Sequence, residues 1–292
     1  MLLQQLANGV MLGSTYALVA IGYALVFGVL RVLHLAHGEV FMVGAFVGVE
    51  AVLWLKVGPF VALIGGLVGS AVLGMLLELI AFRPIRMRNG SFLAPIVSSI
   101  GAGLVLQEIM TKLFGAEQIA FPDQFTSKVY NLGLISVSGA QLFILVVAFG
   151  AMAALHVLVT RTRYGMAMRA TAENLEVASI LGINVDTVIL LTFAVASGLA
   201  GIAGVLVGLN YNAISPFMGI DMTTKGLAVM LIGGLGSIYG AMTAGLLLGI
   251  VEVISVAYLA SSYRDAFAFC LMILVLLLRP RGLFAAGVDF ER

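Results

Sequence analysis

The chain has 292 residues, of which 62% are hydrophobic and only 10% are charged, and its mean hydropathy is +1.15. Soluble proteins carry about 25% charged residues, so 15 Lys and Arg with 14 Asp and Glu cannot cover a soluble protein of this length. The net charge of +1 argues against a nucleic-acid partner, because no segment supplies the concentrated basic face that binds phosphates. The lone Cys270 excludes an internal disulfide and a cysteine-cluster metal site. Composition therefore predicts an integral membrane protein.

Charge-free apolar segments recur along the chain. The first, Met1 to Leu30, exceeds the roughly 20 residues that cross a bilayer. Because its first positive charge, Arg31, follows the apolar stretch, we expect a retained helix rather than a cleaved signal. Further runs cover 57–77, 89–107, 129–160, 187–220 and 226–251, with shorter ones at 40–49 and 266–278. The pattern predicts an all-α, polytopic transmembrane bundle of about eight or nine passes, some short or broken, in one domain over residues 1–292.

Positive charges are concentrated in three places. They are Arg83, Arg86 and Arg88; Arg161, Arg163 and Arg169; and Arg279, Arg281 and Arg292. Short positively charged loops remain on the cytoplasmic side of a membrane. We therefore expect all three groups, and with them the C-terminus, to be cytoplasmic, and counting passes backward places the N-terminus outside.

The longest hydrophilic stretch between two spans runs from Arg161 to Asp186. Its apolar residues recur at near-helical spacing from Tyr164 to Leu181, while Arg169 and Glu173 fall on another side, which predicts one amphipathic helix. Gly182 is placed to end this helix, and Asp186 is placed to cap the next span. Two surfaces suit such a helix: the lipid headgroups or a protein partner, which the mixed acidic and basic residues favour.

Two polar or glycine-rich stretches interrupt apolar sequence and predict broken helices. In His34-Leu35-Ala36-His37-Gly38-Glu39, a histidine pair at i,i+3 suits a metal, but a helix break is the favoured interpretation. Gly233-Gly234-Leu235-Gly236-Ser237 lacks the Gly-Lys-Ser/Thr ending of a phosphate loop. We expect it to break a membrane helix, because discontinuous helices commonly line a substrate route, although close glycine packing without function is an equally good explanation.

Five acidic residues lie in or near apolar segments, where a central charge costs about 2.5–3.5 kcal/mol. Glu50 and Glu78 lie near predicted helix ends and are expected to reach the interface, whereas Glu39, Glu108 and Glu252 are expected to face the protein interior. The spacing suggests no embedded Lys or Arg partner for these acids, so it does not indicate a proton relay. Asp221 and Lys225, at i,i+4, are placed to pair with each other.

Four stretches together resemble the LivH-type permease subunits of bacterial ABC importers for branched-chain amino acids. They are Gly13-Ser14-Thr15-Tyr16-Ala17-Leu18 with Ala20 and Gly22; Ala36-His37-Gly38-Glu39 with Gly44-Ala45; Arg163-Tyr164-Gly165 with Arg169-Ala170 and Glu173-Asn174; and Gly233-Gly234-Leu235-Gly236-Ser237 with Gly240-Ala241 and Glu252. They span nearly the whole chain.

The resemblance implies a permease of a bacterial inner membrane, working with a second related permease, two cytoplasmic ATPases and a periplasmic or extracellular binding protein. It makes 164–182 the coupling helix that docks on an ATPase. Its implied coupling residues are Tyr164, Gly165, Arg169, Ala170, Glu173, Asn174 and Gly182. Its implied translocation-path residues are His37, Gly38, Glu39, Gly44, Lys225, Gly233, Gly234, Gly236 and Ser237.

The chain itself has no catalytic constellation, cofactor motif or ATP-hydrolysing domain that the sequence could nominate, so we expect a non-catalytic subunit. A permease of the same family for urea, an amide or another amino acid is one alternative. A secondary transporter is another, but it would need ion-coupling groups near the membrane midplane. A passive channel would not need the helix between Arg161 and Asp186.

Overall fold

The computed structural model describes residues 2–56, 58–88, 91, 93–121, 129–131, 136–259 and 263–284, and these are almost entirely helical. The helices are α1 (Leu2–Leu30), α2 (His37–Leu55), α3 (Pro59–Leu77), α4 (Arg83–Met87), α5 (Ala94–Phe114), α6 (Gly139–Arg161), α7 (Arg163–Glu173), α8 (Leu175–Ile180), α9 (Val185–Tyr211), α10 (Met218–Gly233), α11 (Ile238–Tyr258) and α12 (Arg264–Leu278). A π-helical turn, Glu78–Phe82, joins α3 to α4. The predicted all-α polytopic bundle is confirmed.

Two small antiparallel pairs of strands lie between the helices. Strand β1 (Ile119–Ala120) pairs with β4 (Ala213–Ile214), and β2 (Val129–Asn131) pairs with β3 (Ser136–Ser138). The first pair ties the segment after α5 to the segment after α9, so it holds the ends of these two helices at one end of the bundle.

Seven helices of the described residues are long and apolar enough to cross a membrane. They are Leu2–Leu30, His37–Leu55, Pro59–Met87, Ala94–Phe114, Gly139–Arg161, Val185–Tyr211 and Ile238–Tyr258. Helices α10 and α12 have 16 and 15 residues, or roughly 23 Å at 1.5 Å per residue, which is shorter than the hydrocarbon core. The number of passes therefore stays a prediction.

Helix α1 forms the centre of the bundle. In the most apolar 18-residue stretch of α1, 89% of the residues are buried. The corresponding share is 17% in α5 and 22% in α6, so these two helices lie at the periphery. It packs mainly on α11 and α9. A side chain at Gly249 of α11 would overlap the backbone of Gly13, so the two helices approach through glycine. This close approach is typical of membrane helices, whose association depends on packing rather than on the hydrophobic effect.

The bundle has two ends, defined here by residues of α1. At the Gln4 end, the Gln4 side chain exchanges hydrogen bonds of 2.9 and 2.8 Å with the backbone of Ser136, beside the start of α6. At the Leu30 end, a side chain at Gly236 would meet Gly28, and Tyr164 of α7 donates a 2.9 Å hydrogen bond to the carbonyl of Val188. The three arginine groups lie toward the Leu30 end wherever the structure describes them.

The predicted break after α1 is confirmed. Arg31 has a φ of 54°, residues 31–36 are not helical, and α2 begins at His37. The backbone N–H of Leu35 donates a 3.1 Å hydrogen bond to the Ser99 hydroxyl, so α5 satisfies part of the backbone that the break opens.

The single helix predicted from Tyr164 to Leu181 is wrong, because two helices, α7 and α8, occupy this stretch. Asn174 separates them in an extended conformation (φ −157°, ψ 118°), and its side chain accepts hydrogen bonds from the N–H groups of Glu176 and Val177. An asparagine that caps a new helix competes with continuation of the old one. Gly182, with a φ of 84°, follows α8 as expected.

Candidate functional site

A network of ionic and phenolic side chains lies inside the bundle, toward the Gln4 end. One oxygen of Glu252, Oε1, accepts hydrogen bonds from the Tyr16 hydroxyl at 3.0 Å, from Lys225 at 3.1 Å and from Arg264. Lys225 also bonds Asp265 at 3.2 Å. The Glu252 side chain is fully buried and that of Lys225 is 11% exposed. The buried charges of Glu252 and Lys225 therefore neutralise each other, while Arg264 and Asp265, at 32% and 67% exposed, lie at the edge of the cluster.

This ion cluster corrects two sequence expectations. Glu252 is interior as predicted, but it has cationic partners, which the spacing along the chain did not suggest. Lys225 pairs with Glu252 and Asp265, and the described residues show no ion pair between Lys225 and Asp221. The partners come from α1, α10, α11 and the start of α12, so only the tertiary structure brings them together.

Two cavities flank the ion cluster, and Tyr211 and Arg264 line both. Arg264 donates a 2.8 Å hydrogen bond to the Tyr211 hydroxyl, so the two cavities share this bonded pair. The first cavity has a volume of about 400 Å³ and a wall of amides. Its amide residues are Gln5, Asn8, Gln141 and Asn210. The second, of about 330 Å³, is lined by Lys225 and Asp221 among others.

A second group of charges lies at the Leu30 end. Arg86 bonds Glu78 at 2.9 Å and Asp186 at 2.7 Å, and Arg83 bonds Asp186 at 3.1 Å. The expectation that Glu78 reaches the interface is wrong, because its side chain is fully buried in the π-helical turn. Asn184 caps α9 through the N–H of Thr187, so Asp186 does not cap the span but links it to α4.

The break before α2 contains a buried polar group. The rings of His34 and His37 lie 5.6 Å apart, and the His37 ring lies 4.6 Å from that of Tyr23. Among the described residues, neither ring nitrogen of His34 has a hydrogen-bond partner. Within the residues that the structure describes, no cluster of three or more His, Cys, Asp or Glu side chains could hold a metal ion.

The other predicted path residues lie in different parts of the bundle. Glu39, 5% exposed, lies against Gly219 at the start of α10. Gly38 lies against Thr223 of the same helix, and Gly44 packs on Gly201 of α9. The structure thus brings the start of α2 next to α10, but it leaves these residues apart from the glycine-rich break.

The glycine-rich stretch does end a helix, as expected. Helix α10 ends at Gly233, where a side chain would overlap Gly240. Gly234 and Gly236 have φ values of 107° and 77°, a conformation that glycine adopts readily. Ser237 then caps α11 by accepting a hydrogen bond from the N–H of Gly240. This turn lies at the Leu30 end, far along α10 from the ion cluster.

Some of the predicted coupling residues attach α7 to the bundle, and the others are exposed on its surface. Tyr164 bonds the Val188 carbonyl and Gly165 packs on the carbonyls of Leu158 and Val159, so both attach α7 to the bundle. Burial raises the pKa of Tyr164 to about 12, more than its bond to Thr192 lowers it. The hydroxyl therefore stays protonated and able to donate at neutral pH.

The exposed part of α7 and α8 carries both charged and apolar side chains. Arg169, Glu173, Asn174 and Gly182 are exposed, and Ala170 is half-buried. Large apolar side chains are exposed beside them. They are Met166 (60%), Val177 (50%), Ile180 (78%) and Leu181 (73%). We call this the α7–α8 surface.

Comparison with known proteins identifies the family. The model of the family described as "Branched-chain amino acid transport system / permease component" matches residues 5–276, which is nearly the whole chain. The chain belongs to this permease family. No solved structure matches the permease.

Curated relatives match the permease over almost their full length. The high-affinity branched-chain amino acid transport system permease protein LivH of Escherichia coli K12 is 40% identical, over 96% of this chain and 94% of its own. The corresponding protein BraD of Pseudomonas aeruginosa is 37% identical, over 96% and 95%. The probable LivH of Methanocaldococcus jannaschii is 27% identical, over 98% and 93%.

Sequence reasoning missed several members of the charged groups in the permease. No motif or charge pattern in the sequence indicates a site at Arg264, Asp265 or Tyr211. Arg86 stands out only as a positive charge that indicates membrane orientation. Tyr16 and Glu252 did lie in stretches that carried the family resemblance. The signal was therefore present for two members of the ion cluster, but not for the cations that neutralise Glu252.

Proposed function

We propose that this chain is the membrane-spanning permease subunit of an ATP-driven ABC importer for leucine, isoleucine and valine, and that it forms half of the translocation pathway. The observation that carries the proposal is its 40% identity to E. coli LivH over 96% of the chain. The three relatives reported above, each matching more than 90% of this chain, are all described as branched-chain amino acid permeases.

The partners follow from the same proposal. The working assembly contains a second related permease, two cytoplasmic ATPases and a periplasmic or extracellular substrate-binding protein, in a bacterial inner membrane with the C-terminus cytoplasmic. ATP hydrolysis belongs to the ATPase subunits. This chain supplies the lipid-embedded bundle and the surface that receives their motion.

The α7–α8 surface is the proposed docking site for an ATPase. Arg169 and Glu173 are exposed one helical turn apart, and Ile180 and Leu181 are among the most exposed apolar side chains outside the long spans. A surface that combines exposed apolar and charged residues is typical of a protein interface. Because Tyr164 and Gly165 attach α7 to α9 and α6, movement of a docked ATPase would reach the bundle directly.

The translocation-path residues remain a proposal of the same kind. The breaks before α2 and after α10 are irregular backbone inside a membrane protein, and such backbone is tolerated where it is buried in protein or lines a cavity. In this proposal the two breaks border the translocation route, which opens and closes as this bundle moves against its partner permease.

The test is uptake of tritiated L-leucine into proteoliposomes that contain this permease, its partner permease, both ATPases and the binding protein. We expect accumulation that requires ATP and resists ionophores, with competition by isoleucine and valine but not by urea or acetamide. The matched control is this chain reconstituted alone, which should neither hydrolyse ATP nor accumulate leucine.

Two results would contradict the proposal. Accumulation of leucine by this chain alone, driven by a proton gradient, would make it a secondary transporter. ATP-dependent uptake of urea, an amide or an unrelated amino acid, with no uptake of leucine, would keep the ABC assembly but overturn the substrate.

A further inference from the structure

The cavity of about 330 Å³ next to the ion cluster has the features of a binding site for a small molecule. It lies at the Gln4 end, where α9 ends, β4 follows and α10 begins. Its volume falls at the lower end of the roughly 300–1,000 Å³ typical of ligand pockets, so it suits a compact solute.

The lining of this cavity includes a cation and a carboxylate that are both available. Arg264 uses Nε and Nη2 to bond Glu252, Tyr16 and Tyr211. Within the described residues nothing accepts from Nη1, so the other edge of the guanidinium remains a donor. Asp221 is exposed and forms no ion pair with any residue that the structure describes.

Apolar side chains also line the cavity. They are Val207, Ile214, Met218 and Met222. Ile214 is 1% exposed and Met222 is 7% exposed, so these two belong to the packed core, whereas Met218 is half-buried. A cavity lined by both charged and aliphatic side chains suits a molecule that carries a charged head on an aliphatic chain.

We propose that this cavity binds an α-amino acid with an aliphatic side chain. The carboxylate of the amino acid accepts from Arg264, its ammonium donates to Asp221, and its side chain lies against Met218, Met222 and Ile214. The site deepens the proposed function on which it rests, because it places the substrate on the face of the bundle that a binding protein would approach.

The neighbouring cavity of about 400 Å³ is less suited to such a ligand. Its polar lining consists largely of neutral amides. The one carboxylate that the described residues place in it, Glu252, is fully buried and already receives three donors through Oε1. Hydrogen bonding to amides does not distinguish an ammonium from other polar groups, whereas the free carboxylate of Asp221 does. The smaller cavity is therefore the better site for a ligand that carries an ammonium group.

The test measures equilibrium binding of tritiated L-leucine to the assembled permeases and ATPases in nanodiscs, without the binding protein. Asp221→Asn removes the partner of the ammonium without touching the ion cluster, and we expect the Kd to rise at least tenfold. Met218→Trp fills the cavity from its half-buried rim and should have a similar effect. The matched controls are Glu117→Gln, an exposed acid at the same end, and Ile220→Trp, exposed on the same turn as Met218.

Competition by leucine analogues tests the orientation of the ligand. 3-Methylbutylamine lacks the carboxylate and 4-methylpentanoate lacks the ammonium, so each should compete with leucine at least tenfold more weakly. Asp221→Asn should weaken binding of the amine but leave that of 4-methylpentanoate unchanged.

The outcomes separate this site from the proposed function. Wild-type affinity in both Asp221→Asn and Met218→Trp, or no saturable leucine binding to the assembly, would overturn the site even if ATP-driven uptake with the binding protein is normal. Absence of that uptake, while leucine binding depends on Asp221, would overturn the proposed function and leave the site standing.

Discussion

The ion cluster makes a quantitative prediction about stability. Glu252→Gln removes a fully buried negative charge and leaves Lys225, whose side chain is 11% exposed, with Asp265 as its remaining acidic partner. Breaking a buried ion pair by removing one member costs about 3–5 kcal/mol. Arg264 is about a third exposed and can turn to solvent, so we expect the lower part of this range, about 3 kcal/mol.

The corresponding measurement is the midpoint of heat denaturation of the purified chain in detergent. An unfolding entropy of about 2.1 cal/mol/K per residue gives a shift of about 1.6 °C per kcal/mol for 292 residues, so Glu252→Gln should lower the midpoint by about 5 °C. The matched control is Glu108→Gln, which breaks a pair with Lys112 whose side chains are 65% and 75% exposed. An exposed pair contributes no more than about 1 kcal/mol, so the control should change the midpoint by at most about 2 °C.

A double variant shows whether the loss comes from the pairing itself. Lys225→Met combined with Glu252→Gln removes both charges, so it should be less destabilised than the sum of the two single variants. If Glu252→Gln changes the midpoint no more than Glu108→Gln does, the charges around Glu252 are solvated and the reasoning from burial is refuted.

Three further predictions concern packing, coupling and orientation. Gly249→Val should abolish the folded monomer in detergent, measured by size-exclusion chromatography, since the side chain would overlap the α1 backbone, whereas Gly150→Val should be tolerated, because a side chain there would meet no described atom within 4 Å. Arg169→Glu or Glu173→Arg should abolish uptake by the full assembly while expression stays normal, because removing one member of a charge pair that docking buries costs about 2–5 kcal/mol; normal uptake from both variants would refute ATPase docking. Cysteine at Glu117 should react with an impermeant maleimide on intact cells and cysteine at Glu173 should not, in a chain without the native cysteine; the reverse would invert the orientation.

The embedded acids show how far sequence could predict the site. Hydropathy identified Glu252 as interior, because a charge in the middle of an apolar run must face protein or water. It placed Glu108 inside as well, yet that side chain is 65% exposed and pairs with Lys112. The same reasoning placed Glu78 at the interface, where the structure buries it. Periodicity cannot tell which face of a uniformly apolar helix points inward, since every face is hydrophobic.

Sequence analysis likewise predicted some helix boundaries and missed others. Gly233-Gly234 and the segment after Arg31 were predicted as breaks because glycine and polar residues interrupt the apolar pattern locally. The break at Asn174 was missed, because the apolar spacing continues across it and the competing signal is a single capping side chain. Local side-chain chemistry ends the helix at all three places. Sequence analysis detected only the two breaks where polar residues or glycine interrupt the apolar spacing.

The sequence by itself determined that this protein is an all-helical membrane bundle of the branched-chain amino acid permease family, because composition, charge-free length and short motifs are local properties of the chain. Only the tertiary structure decided which charges meet. Tyr16, Glu252 and Arg264 lie on three different helices and converge because α1 packs against α11 through glycine and the start of α12 folds back over them. Such convergence depends on the relative placement of helices, which hydrophobicity alone does not encode in a membrane, where lipid and helix surfaces are equally apolar.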